Sequence, residues 1–78
     1  MKDGIKIRSR LGDNISGYQV VAQYKEEVIL AVAVNPNSPC KAVVWYLDCN
    51  CEPHTGDYYV SMESAYHEFI SRAFGWYI

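Results

Sequence analysis

Ala42-Val43-Val44-Trp45-Tyr46-Leu47, Asp48-Cys49-Asn50-Cys51-Glu52-Pro53-His54-Thr55-Gly56, Asp57-Tyr58-Tyr59-Val60 and the residues that follow to Phe74 decide the fold. The first block is apolar and rich in β-branched and aromatic side chains, which suits a strand. The second is an acidic loop, and the third a short aromatic strand. From Ser61 onward the period changes. Met62, Ala65, Tyr66, Phe69, Ile70 and Ala73 recur at helical spacing and form one apolar stripe. Glu63, Ser64, His67, Glu68, Ser71 and Arg72 fill the other side. Ser61 stands where an N-cap belongs and Gly75 where a left-handed stop is usual. Glu63 and Arg72 each suit the end of the helix dipole they lie near.

Upstream, Tyr18-Gln19-Val20-Val21-Ala22-Gln23-Tyr24 alternates. Tyr18, Val20, Ala22 and Tyr24 are expected on one face of a half-buried strand, with Gln19 and Gln23 on the other. Residues 28–34 are apolar without a break, which predicts a strand covered on both faces, or on one face with a partner molecule on the other. Asn35-Pro36-Asn37-Ser38-Pro39 breaks the chain, and Leu11-Gly12-Asp13-Asn14 and Ser16-Gly17 are turn chemistry. Ile5-Lys6-Ile7-Arg8 alternates as a charged edge strand would. The sum is an α+β domain covering 1–78: a four- to five-stranded, mostly antiparallel sheet with one C-terminal helix packed on one face. With a single helix available, the other sheet face is expected to be uncovered and to carry aromatics, a surface for a partner or a second copy.

Half of the 78 residues are hydrophobic and seven are tyrosines, enough for a core without disulfide staples. The longest apolar run, 28–34, is far short of the ~18 residues of a membrane span. The charged N-terminus has no apolar region of a secretory signal, so the expected location is the cytoplasm. Net charge is −2 but unevenly placed. Residues 1–10 hold Lys2, Lys6, Arg8 and Arg10 against Asp3, whereas residues 42–71 hold Asp48, Glu52, Asp57, Glu63 and Glu68 with no lysine or arginine. Such a distribution fits an acidic face meeting a basic partner, or a solvated face whose counter-charges come from elsewhere in the fold. The aromatics gather in the acidic half, so direct nucleic-acid binding is not expected.

Cys49-Asn50-Cys51 with His54 and Cys40 is the strongest candidate for metal or thiol chemistry. Cys40 begins the strand that ends near Asp48, which places it about 25 Å from the loop at the rise of a strand, too far to complete a four-ligand zinc site. A Cys49–Cys51 disulfide meets poor geometry. His67-Glu68 lacks the second histidine of a metalloprotease helix, Ser71 standing in its place. Neither a glycine-rich phosphate loop nor a fixed nucleophile–base pair is present. No catalytic residue, metal ligand or cofactor is assigned.

The pattern Trp45-Tyr46-x-Asp48, an acidic loop, then Gly56-Asp57-Tyr58-Tyr59-x-Ser61-x-Glu63-x-Ala65-x-x-x-Phe69 resembles small phage and mobile-element proteins in which an aromatic hairpin leads into a Ser-x-Glu-x-Ala helix. The resemblance covers about residues 43–74. It implies a non-catalytic, anti-CRISPR-like inhibitor or accessory protein that binds a defence nuclease in the host cytoplasm. The expected partner is a larger bacterial protein with a basic surface. Asp48, Glu52, Asp57, Glu63 and Glu68 are the expected electrostatic contacts and Tyr58 or Tyr59 the aromatic anchor. The alternatives are a structural homodimer joined through uncovered sheet faces, an interaction module for some other partner, and a small metal-binding or thiol enzyme.

Overall fold

The computed structural model describes residues 8–75. Five strands run in chain order as an antiparallel meander: β1 (Asn14–Ile15), β2 (Tyr18–Tyr24), β3 (Val28–Ala33), β4 (Ala42–Leu47) and β5 (Pro53–Tyr59). They are followed by α1 (Met62–Phe74), which packs on one sheet face against β3, β4 and β5. The expected α+β class and the single C-terminal helix are both present. Most of the strand expected over residues 5–8, and the 76–78 tail, lie outside the described residues.

Local chemistry accounts for the turns. Ser16 and Gly17 take φ of 53° and 85°, and they link Ile15 to its cross-strand partner Tyr18. Two left-handed central residues define the tight turn whose twist matches that of the flanking strands. α1 begins and ends as its termini dictate. The Ser61 hydroxyl accepts from the Ser64 amide at 3.2 Å, and Gly75, at φ 70°, donates its amide to the Ser71 carbonyl at 2.7 Å.

β3 is the centre of the sheet, and Val28, Ile29, Leu30 and Ala31 are fully buried from both sides. Alternation therefore divides the core in two. Val28, Leu30, Ala42 and Val44 face α1, where Ala65 and Phe69 cover them with Met62 and Ile70 alongside. Ile29, Ala31, Val43 and Trp45 face the other way, with Val20, Leu47 and Cys51. Tyr66, expected within the buried stripe of the helix, is 53% exposed. Arg72, expected on its solvated side, has a side chain only 5% exposed.

Two bulges alter the expected strand faces. In β2 the register shifts between Val20 and Ala22, so Val20 pairs with Ala31 whereas Ala22 pairs with Leu30. Val21 is the extra residue. Tyr18 and Val20 thus stay on the face away from the helix, while Ala22 and Tyr24 turn toward it. The expected common face is corrected on this point: an inserted residue reverses the alternation beyond it. The second bulge lies in β5, where two residues, Thr55 and Gly56, stand opposite Trp45. Thr55 takes the left-handed conformation there, with φ 52°.

β5 also starts earlier than expected, at Pro53 rather than Asp57. Asp48 closes the preceding loop within a few residues. Its carboxylate accepts from the Asn50 and Glu52 amides at 2.8 and 3.0 Å, and its carbonyl accepts from the Cys51 amide at 2.8 Å. The chain returns at once, and Leu47 pairs with Pro53.

Candidate functional site

The second sheet face was expected to lie open. It does not: Val20, Ile29, Ala31, Val43 and Trp45 are each 7% exposed or less. Aromatic rings supply much of the cover. Tyr18 on β2 meets Tyr58 on β5 edge-on with centroids 5.5 Å apart, and Tyr58 meets Trp45 edge-on at 6.3 Å. The Tyr18 hydroxyl is fixed at 3.0 Å to the Cys40 carbonyl and lies 3.2 Å from the Ser38 hydroxyl. Beneath the Trp45 indole lies Gly56, where any Cβ would collide with the ring. A chain that buries its own second face leaves no open surface there, which removes the expected basis for docking either a partner or a second copy on that face.

Polar bonds hold the N-terminal segment near the same side. Because of the β2 bulge, Gln23 pairs with Ile29 and lies on the second face. Its Oε1 accepts from the Arg10 amide at 2.7 Å, and its Nε2 donates to the Arg8 carbonyl at 2.9 Å. Arg8 donates to Glu26 and to the Cys49 carbonyl, and Arg10 to Asp13 and the Cys51 carbonyl. The loop cysteines are thus used mainly through their backbone. The Cys51 thiol is buried and 3.6 Å from the Arg8 carbonyl, while Cys49 is exposed. Among the described residues no three His, Cys, Asp or Glu side chains are grouped to hold a metal ion.

The expected contact residues fall into three places. Asp57 and Glu68 flank Arg72 on the helix side of the sheet. The guanidinium also donates to the Val44 and Thr55 carbonyls at 3.2 and 2.9 Å, and it lies 4.5 Å from the Tyr46 ring centroid. His54 stacks beyond Tyr46. Val44 and Thr55 border the β5 bulge, so Arg72 supplies donors where the strand ladder is interrupted. Asp48 and Glu52 lie in the β4–β5 loop, with Glu52 3.9 Å from Arg10. The Glu52 and Asn50 amides hold the Asp48 carboxyl below its ordinary range. Glu63 stands apart, exposed in the first turn of α1.

Tyr58 and Tyr59 point to opposite sheet faces. Tyr58 is half exposed at the outer end of the aromatic arch. Tyr59 packs toward α1, where burial and then the charges of Glu68 and Asp57 push its phenol up. The acids are therefore not one bare patch: Arg72 lies between two of them, and Asp48 serves its own loop. The sequence signal for Arg72 was its place as the first base after a long acidic stretch. Tyr18, Gln23 and Gly56 carried no signal, because their roles arise from strands far away in sequence.

No family model matches the chain, and neither a curated protein nor a solved structure matches it. Among the described residues no helix is long and apolar enough to cross a membrane.

Proposed function

We propose that this protein acts by binding rather than by catalysis, as a small inhibitor of a bacterial defence nuclease. The observation that carries the binding reading is Tyr58. It is a large ring left 50% exposed at the rim of an otherwise buried aromatic cluster, while the preceding residue, Asp57, presents a side chain 60% exposed on the opposite face of the same strand. A ring already held by Tyr18 and Trp45 loses little freedom on contact, and rigid aromatic anchors of this kind dominate interface energies. The resemblance of residues 43–74 to small phage proteins supplies the class of partner. Asp48, Glu52, Asp57, Glu63 and Glu68 would then speed association with a basic surface.

The test is titration of the protein into guide-loaded CRISPR nucleases while cleavage of target DNA is followed. Loss of cleavage is expected, with relief by Tyr58→Ala and by the double reversal Glu52→Lys and Glu63→Lys. Both variants should keep the native circular dichroism spectrum. Absence of inhibition and of binding across such a panel, or affinity unchanged by the charge reversals at low salt, would overturn this reading.

A further inference from the structure

β5 is the outer strand of the sheet, and among the described residues no strand pairs with its outer edge. Edge strands leave a row of backbone donors and acceptors that can take up another strand, and proteins commonly guard them with lysine, proline or a bulge. Here Pro53 and the bulge at Thr55 guard only the first half. Residues 56–59 carry no proline and no lysine or arginine.

The two flanks of that half differ. On the helix side lie Asp57 and Glu68, with side chains 60% and 35% exposed. The guanidinium between them is only 5% exposed, so two carboxylates and one withdrawn cation leave this flank negative toward solvent. On the other side stands the half-exposed ring of Tyr58. An added strand sends alternate side chains to the two faces. Every second residue would meet carboxylates, and the ones between would meet an aromatic ring.

Resting on the binding reading above, we infer that residues 56–59 of β5 take up an extended segment of the partner protein by strand addition. The segment carries lysine or arginine toward the helix side and apolar residues toward Tyr58. Main-chain hydrogen bonds supply the attachment and the alternating side chains the selectivity. A second copy of this chain fits worse. Two-fold pairing of β5 with itself would set one copy's Asp57 and Glu68 near the other's, and like charges across paired strands repel.

The experiment is an NMR titration of the full chain with an end-blocked hexapeptide alternating lysine with valine. Saturable shifts of the amides of residues 56–59 are expected, weakening as salt is added. A glutamate–valine peptide should bind about tenfold more weakly or not at all. A lysine–valine peptide N-methylated on the amides that face β5 should lose binding, whereas methylation of the opposite amides should not. The inference is overturned if millimolar peptide leaves β5 unmoved, or if the β5-facing methyl groups or the reversed charge make no difference. Peptide failure with nuclease inhibition intact would sink strand addition alone, because it leaves inhibition through another surface standing.

Discussion

Tyr18 and Tyr58 touch edge-on at 5.5 Å between centroids although β3 and β4 separate their strands. In a flat sheet, strands three places apart lie about 14 Å from each other. The rings bridge that gap on a curled sheet, with Tyr18 packed against the second-face core that contains Ala31 and Val43. Bulges in β2 and β5 strengthen local twist on the strands that bear the two rings. The outer strands thereby help shelter the face that α1 does not cover, and a 78-residue chain obtains two apolar layers from one sheet.

Gly56→Ala is expected to destabilise the domain by about 1–3 kcal/mol, the usual range for overpacking a filled site. The added methyl would press into the Trp45 indole, which is 7% exposed and has little room to retreat. Urea denaturation followed by tryptophan fluorescence checks it. The same substitution should also shift the native emission, since the indole must tilt. An unchanged midpoint and spectrum would show that Gly56 does not set the position of that ring.

Arg72→Ala removes the donors that reach the Val44 and Thr55 carbonyls and the cation between Asp57 and Glu68. A loss of about 2 kcal/mol is expected, mostly from the orphaned carbonyls. The carboxylates contribute less, because Asp57 is 60% exposed and rehydrates readily. Arg72→Lys should restore only part of the loss, since an ammonium cannot fork to two carbonyls and two carboxylates in one plane. Thermal denaturation of the three proteins at one pH decides it. Equal stability of the lysine and native forms would reduce Arg72 to a point charge.

Much of this fold is legible in the residues themselves. The helix announces both ends through Ser61 and Gly75, the Ser16-Gly17 turn through its residue types, and β3 through an unbroken apolar run. What is hidden depends on pairing. A bulge is a mismatch between two strands, and nothing within residues 18–24 says that Val21 has no counterpart on β3. One hidden residue reverses the faces of Ala22, Gln23 and Tyr24. The uncovered face was expected on the same flat-sheet assumption, because spacing along a strand carries no record of curl. At the candidate site, the acids and tyrosines are visible as a composition, but Arg72's position between Asp57 and Glu68 depends on how α1 crosses β5.

Gln23 gives that reversal a measurable consequence. Its amide bonds the Arg10 amide and the Arg8 carbonyl from a face where ordinary alternation would not have put it. Gln23→Ala should release this segment and raise hydrogen exchange at the Arg10 amide, with a cost of about 1 kcal/mol to global stability. Gln19→Ala, on an exposed β2 position before the bulge, should leave Arg10 exchange unchanged. Equal exchange in both variants would mean that the arginine side chains alone hold residues 8–10 in place.

Acid should weaken the domain through two carboxylates. The Glu52 and Asn50 amides hold Asp48 below its ordinary value of 3.8, and the Arg8 amide and guanidinium hold Glu26 below 4.5. In the unfolded chain both groups regain protons near those ordinary values, while the folded chain keeps them ionised to lower pH. The unfolded state therefore binds more protons across that interval, and stability falls as pH falls through it. Denaturation midpoints should stay level, as far as these two groups are concerned, from neutrality to about pH 5 and then decline. Asp48→Asn combined with Glu26→Gln should be less stable than the native chain at neutral pH, with the gap closing on acidification as the native carboxylates protonate. Parallel curves for the two proteins down to pH 2 would show that neither carboxylate is linked to folding.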